Sequence, residues 1–217
     1  MKEREFVAEG VKRAQIEEYL AGLFDRAGYS HCEIQRTPLG MRIVVYAARP
    51  GLVVGRRGRK IEKIVRELKE RFGLENVALD VKEVEIPELD AQVMAREIAR
   101  ALERGIHYKK VAHTMLRRIM QYAAGCCITI SGKLTGELAR TEKFYAGYLK
   151  YAGEYAESLV RKGFATALLK PGVIGIKVMI LPELPKELKI EKEAREESVK
   201  EEEKEEVSET IEVAKEE

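Results

Sequence analysis

From Val11 onward apolar side chains recur at intervals of three and four, at Ile16, Leu20, Leu23, Phe24 and Ala27, which puts them on one side of a helix ended by Gly28. The pattern then changes to short β-branched runs. His31 to Thr37 and Met41 to Ala48, split by Pro38-Leu39-Gly40, predict a hairpin. Pro50 suits the first turn of another helix, and after a Gly55-Arg56-Arg57-Gly58 break the positions Ile61, Ile64, Val65, Leu68 and Phe72 mark a second helical face that stops at Gly73. Val77, Leu79 and Val81 alternate as a strand. The predicted order is helix, strand, strand, helix, helix, strand, complete by about Glu85.

Ile86-Pro87 predicts a joint, so residues 1–86 form one unit and residues 87–184 a second. In the second, helices are expected over Asp90 to Arg104 and Tyr108 to Ala124, separated at Gly105. A strand follows at Cys126 to Ser131, a hairpin loop lies between Gly132 and Gly136, and Ala139 to Tyr148 is the strand's partner. Phe164 to Leu169 and Ile174 to Leu181 flank a Pro171-Gly172 turn, while residues 149–162 carry no pattern that assigns them. The fold class is therefore α+β, with two helices packed on a mostly antiparallel sheet in the second unit. Residues 185–217 are Glu/Lys low-complexity sequence, expected to be disordered or transiently helical.

The net charge of +2 hides a division. Lys186 to Glu217 holds 7 Lys or Arg against 14 Glu, which leaves 32 basic against 23 acidic residues, or +9, on the rest. A basic body with an acidic tail points to a polyanionic partner, because each neutralised phosphate releases counterions. The three cysteines, Cys32, Cys126 and Cys127, are too few and too awkwardly placed for a disulfide framework. With no apolar leader after Met1 and no run approaching 18 apolar residues, a soluble cytoplasmic protein without membrane contact is expected.

The chemistry concentrates in Pro50-Gly51-Leu52-Val53-Val54-Gly55-Arg56-Arg57-Gly58-Arg59-Lys60-Ile61. Glycines at both ends of two arginines let the backbone approach a sugar-phosphate chain, and the helix starting at Arg59 points its unpaired N–H groups at the same side. Arg56, Arg57, Arg59 and Lys60 add positive charge there, and Leu52, Val53 and Val54 are placed to line a groove for bases. Alone, a Gly-x-x-Gly fits a plain helix-helix turn equally well. Between two helices, after a hairpin and before a final strand, it has the context of a type-II KH domain, whose loop clamps single-stranded nucleic acid. No Gly-Lys-Ser/Thr follows, which excludes a Walker A loop, and the spacing excludes a dinucleotide fingerprint.

On the helix from Asp90, Arg96, Arg100 and Arg104 form a basic stripe opposite Met94, Ile98 and Ala101. On the next, Lys110, His113, Arg117 and Gln121 share a polar face, with Lys109 and Arg118 at its edges and Val111, Met115 and Ile119 inward. Either stripe alone fits a solvated face; together in a basic KH-containing chain they favour RNA.

The stretch Ile130-Ser131-Gly132-Lys133-Leu134-Thr135-Gly136-Glu137-Leu138-Ala139-Arg140-Thr141-Glu142-Lys143-Phe144, with Gly172-Val173-Ile174-Gly175-Ile176-Lys177-Val178 and the KH segment, resembles the small-subunit ribosomal protein S3 family in its archaeal form. The resemblance covers roughly residues 1–184. It implies a structural, non-enzymatic protein in the head of the small subunit that binds the 3′ domain of the rRNA, neighbours other head proteins and borders the channel where mRNA enters. By matched position it places Lys109 and Lys110 where relatives carry paired arginines facing mRNA, and Arg140 and Lys143 in a second such set, with Arg117 and Arg118 nearby and Lys133 in the same hairpin. Lysine keeps the charge at 109 and 110 but loses the planar fork of arginine.

The remaining chemistry-bearing residues carry plainer readings. His31, His107 and His113 are dispersed and lack partners at metal-ligand spacing, so no metal or other cofactor is expected. Cys126 and Cys127 are expected to point to opposite sides of a strand. Tyr145, Tyr148, Tyr151 and Tyr155 fit packing of the hairpin or stacking on a base. Asp90 and Glu97 fit helix propensity and ion pairs to Arg100. Schiff-base chemistry at damaged DNA, linked to eukaryotic relatives, needs an activated lysine, and nothing singles one out.

Overall fold

The computed structural model describes residues 2–37, 40–74 and 76–184. The first unit runs α1 (Lys2–Leu23), a 3-10 turn (Asp25–Ala27), β1 (Tyr29–Thr37), β2 (Gly40–Ala47), α2 (Pro50–Val54), α3 (Arg59–Phe72) and β3 (Val77–Glu83). Strand β2 is central: it pairs antiparallel with β1, Ile34 opposite Ile43, and parallel with β3, where Ile43 faces Leu79 and Val45 faces Val81. Helices α1 and α3 bury Ile16, Leu20, Ile64 and Leu68 with Phe24, Ile43, Val45 and Val53 in one core. The α1 helix begins well before the expected Val11, yet its buried face starts at Ile16, and Phe6, Val7 and Val11 stand exposed. Hydrophobic periodicity reports burial, so the outer half of the helix left no periodic signal. Of the hairpin turn, Pro38 and Leu39 lie outside the described residues, as do residues 185–217.

The second unit comprises α4 (Ala91–Glu103), α5 (Tyr108–Ile119), β4 (Gly125–Gly132), β5 (Arg140–Gly147), α6 (Glu154–Ser158), β6 (Arg161–Leu169) and β7 (Gly172–Leu181). Its antiparallel sheet has the order β5-β4-β7-β6. Met94, Ile98 and Leu102 of α4 and Val111, Leu116 and Ile119 of α5 pack on Cys126, Ile128, Ile130, Ile176, Val178 and Ile180 on one face of the sheet. Ala165 and Ala167 of β6 are small enough to seat α4 closely.

Helix α5 ends at Ile119 rather than Ala124, because Tyr122 and Ala123 donate back to the Ile119 carbonyl and the Ala124 amide has joined the sheet at Leu181 O (3.0 Å). The unassigned segment 149–162 contains α6, too short at five residues to display a helical period. Both Cys126 and Cys127 are buried: Cys126 lies in the core, and Cys127, on the other face of β4, is covered where Tyr151 lies against it.

At the free edge of β6, the Gln92 amide donates to Phe164 O and accepts from Phe164 N, while Glu103 accepts from Leu168 N. Side chains of α4 thus satisfy an edge that another strand would otherwise pair with.

Candidate nucleic-acid interface

The glycine loop is built by backbone conformation. Gly55 (φ 73°, ψ −176°) occupies a region reserved for glycine, and a Cβ there would lie 2.7 Å from the Lys60 Cβ. Arg57 follows with φ 54°, the one non-glycine residue of positive φ among the described residues, and Gly58 (φ 74°) leads into α3. No side chain caps α3, whose first amide, that of Arg59, donates to the Arg56 carbonyl, and the positive end of the helix lies beside the exposed Arg56, Arg57 and Arg59. None of these three arginines has a side-chain partner among the described residues.

Lys60 behaves differently. Its Nζ donates to Leu52 O (2.8 Å) and stands 5.8 Å from the centroid of the Phe24 ring, so the amine ties α3 back to α2 instead of pointing into the loop. Val53, expected along a groove, is fully buried in the core; Leu52 is exposed and Val54 half-buried.

The α4 arginines also divide. Arg96 donates to Asp25 (2.6 Å) and to Ala21 O (3.0 Å) and lies over the Tyr29 ring, joining the two units. Beside it Ser30 donates to Asp90, whose carboxylate caps α4 through the amides of Gln92 and Val93. Arg100 and Arg104 fold back along the helix, each Nε donating to the carbonyl four residues earlier, with Arg104 exposed and Arg100 half-buried.

Arg118 is committed to carboxylates, with Nε and Nη2 on Glu88 (3.0 and 2.8 Å) and Nη1 on Glu97 (3.0 Å). Hydrogen bonding to Glu88 raises its already high pKa. The ion pair expected between Glu97 and Arg100 is replaced by this one, and Asp90 serves as a cap.

Of the remaining basic residues, Lys109, Lys110 and Arg140 meet at a corner. Lys109 and Lys110 are exposed in the first turn of α5, where the helix dipole adds to their charge. Between His107 and Lys109, Tyr108 accepts a hydrogen bond from Arg140 Nη2 (2.7 Å) and donates to Glu142 (3.0 Å), fastening the start of β5 to the start of α5. Arg140 also pairs with Glu142 (2.8 Å) and stays about half exposed. Arg117 lines a groove of about 410 Å³ with His113, Met120, Lys143 and Tyr145. Lys133 is exposed in the β4–β5 loop.

Arg140 and Lys143, grouped by the resemblance, differ by an odd number of positions along β5 and so point to opposite faces of the sheet. The sequence reading missed Tyr108 as the organiser of the corner; its signal was a tyrosine just ahead of two exposed lysines.

A KH domain model matches residues 15–89, and the model described as ribosomal protein S3, C-terminal domain, matches residues 98–180. The chain is 53% identical over 198 residues to small ribosomal subunit protein uS3 of Methanocaldococcus jannaschii, an alignment that takes in 89% of this chain and 95% of that one. It is 49% identical over 183 residues to the uS3 of Methanothermobacter thermautotrophicus (84% and 71%) and 46% identical over 196 residues to that of Halobacterium salinarum (88% and 65%).

Proposed function

The chain belongs to the ribosomal protein S3 (uS3) family, and from that premise we propose that the corner at Lys109, Lys110 and Arg140 contacts mRNA while the glycine loop holds single-stranded rRNA. Membership makes the protein a structural constituent of the small ribosomal subunit, bound to rRNA and to other ribosomal proteins in the cytoplasm, and not an enzyme. The finer assignment is a place in the subunit head, on the 3′ domain of the rRNA, beside the channel where mRNA enters.

One observation carries the mRNA reading: Tyr108 fastens Arg140 next to two exposed lysines at a helix N-terminus, concentrating positive charge where, among the described residues, no carboxylate but Glu142 pairs with it. Phosphates are held by such groups without regard to sequence, as a channel for any message requires. In the loop, Gly55 and Gly58 admit the backbone, and Arg56, Arg57 and Arg59 neutralise phosphates. Arg100, Arg104, Arg117, Lys133 and Lys143 add further phosphate contacts. Arg96, Arg118 and Lys60 act through structure, holding the two units and the loop in position.

The test is Lys109→Glu with Lys110→Glu in small subunits reconstituted with the variant protein. Sedimentation is expected to show normal assembly, and mRNA retention by the assembled subunit is expected to fall and to fall further at raised salt. Normal retention by fully assembled variant subunits refutes the assignment.

A further inference from the structure

The face of the four-stranded sheet turned away from α4 and α5 has a composition that packing does not require. Strand alternation places Lys143 and Tyr145 of β5, Thr129 and Ser131 of β4, Lys177 and Met179 of β7, and Lys162, Phe164 and Thr166 of β6 on it, with the exposed Leu168 and Val173 at its far end. The register aligns Phe164, Lys177, Thr129 and Lys143 in one row across the sheet, and Lys162, Met179, Cys127 and Tyr145 in the next. Phe164 is 60% exposed and Tyr145 77%, and Tyr151, 66% exposed, stands beside Tyr145 over Cys127. Not one Asp or Glu occupies an outward position on these four strands; Glu142, their single carboxylate before Leu181, turns to the helix side.

We infer that this face is a second RNA-binding surface, a platform on which unpaired bases stack on Phe164, Tyr145 and Tyr151 while Lys143, Lys162 and Lys177 neutralise the phosphates. The inference extends the RNA-binding reading of the chain to a surface remote from the glycine loop. Charge selects the occupant: beyond the part that Tyr151 covers at Cys127, the strands present three lysines and no carboxylate on this face, which suits a polyanion, and an apolar protein partner would have no use for the lysines.

Geometry suits a strand of nucleotides. A row of four residues spans three inter-strand spacings, about 14 Å, and Tyr145 lies about 7 Å farther along β5, so Lys177, Thr129, Met179 and Cys127 lie between the Phe164 and Tyr145 rings, while the row on the other side of Phe164 carries the short side chains of Thr166, Ser131 and Thr141. Those short side chains leave room for bases and supply hydroxyls. Without amide or carboxylate groups to read base edges, the platform binds with little sequence preference, as stacking surfaces do.

The test uses the full chain and a fluorescent oligouridine, measured by anisotropy, in a Gly58→Asp background that weakens the glycine loop. Phe164→Ala and Tyr145→Ala are each expected to reduce the residual affinity by roughly five- to a hundredfold, with Phe164→Tyr retaining it and thermal unfolding unchanged in all three. Ultraviolet cross-links to oligouridine are expected at Phe164 or Tyr145. Unchanged affinity in both alanine variants, or cross-links confined to residues 51–60, overturns the platform and leaves the family's rRNA role intact. In assembled subunits, cross-links from position 177 that reach only a neighbouring protein overturn it as well.

Discussion

The glycine loop carries four basic residues, but the structure leaves only three of them available to phosphate. Arg56, Arg57 and Arg59 have open guanidinium groups, whereas the Lys60 amine is bound to Leu52 O at 2.8 Å and sits over Phe24. Each phosphate neutralised on single-stranded RNA contributes about 0.7 to the slope of log K against log salt. The loop therefore contributes about 2, not 3, and Arg56→Ala with Arg57→Ala removes about 1.4 of it.

Lys60→Ala has another effect. It removes one hydrogen bond and one cation–π contact at a solvent-facing site, worth about 1 kcal/mol of stability together, and leaves the salt slope close to that of the parent chain. Anisotropy titrations of a short RNA between 50 and 300 mM salt (roughly the range over which counterion release is resolved), paired with denaturant unfolding, measure both quantities. The reasoning is refuted if the double arginine variant keeps the parental slope, or if Lys60→Ala lowers the slope as much as a single arginine replacement does.

Two further outcomes follow from the same geometry. Arg118→Ala deletes three charge-assisted hydrogen bonds and strands Glu88 and Glu97 together; allowing for partial exposure, a loss of about 2 kcal/mol is expected, seen in calorimetry as a melting temperature lower by about 4–8 °C. Burial pushes the Cys126 thiol up to about 11 from an ordinary 9.0. The folded chain thus holds that proton more tightly than the unfolded one, so this group's contribution to stability is level below about pH 9 and declines as pH rises from there toward 11. Alkylation of Cys126 at pH 8 is expected only after denaturation, and native-state labelling as fast as denatured-state labelling contradicts the burial.

Much of this architecture is legible along the chain because it rests on local rules. Glycines at 55 and 58 mark positions where the backbone takes positive φ, and β-branched alternation identifies β2, β4 and β7. What escapes is decided by residues far apart in sequence. Arg96 reads as part of an exposed stripe until the fold brings Asp25 and the Ala21 carbonyl to it, more than 70 positions away. Arg118 is captured by Glu88 and Glu97, and Lys60 by a carbonyl of the preceding helix. A basic residue's spacing tells which helix face it shares; it does not tell whether a carboxylate waits on that face. The exposed tyrosines show the converse, since a cluster suited to packing the hairpin leaves Tyr145 and Tyr151 largely in solvent.

The most direct test of the account is site-specific photo-cross-linking from Lys110 in small subunits programmed with a labelled message. The account predicts cross-links to mRNA that disappear when the message is omitted and weaken when Arg140 is replaced by glutamate. Cross-links from this position to rRNA or to a neighbouring protein alone, unchanged by the presence of message, contradict it.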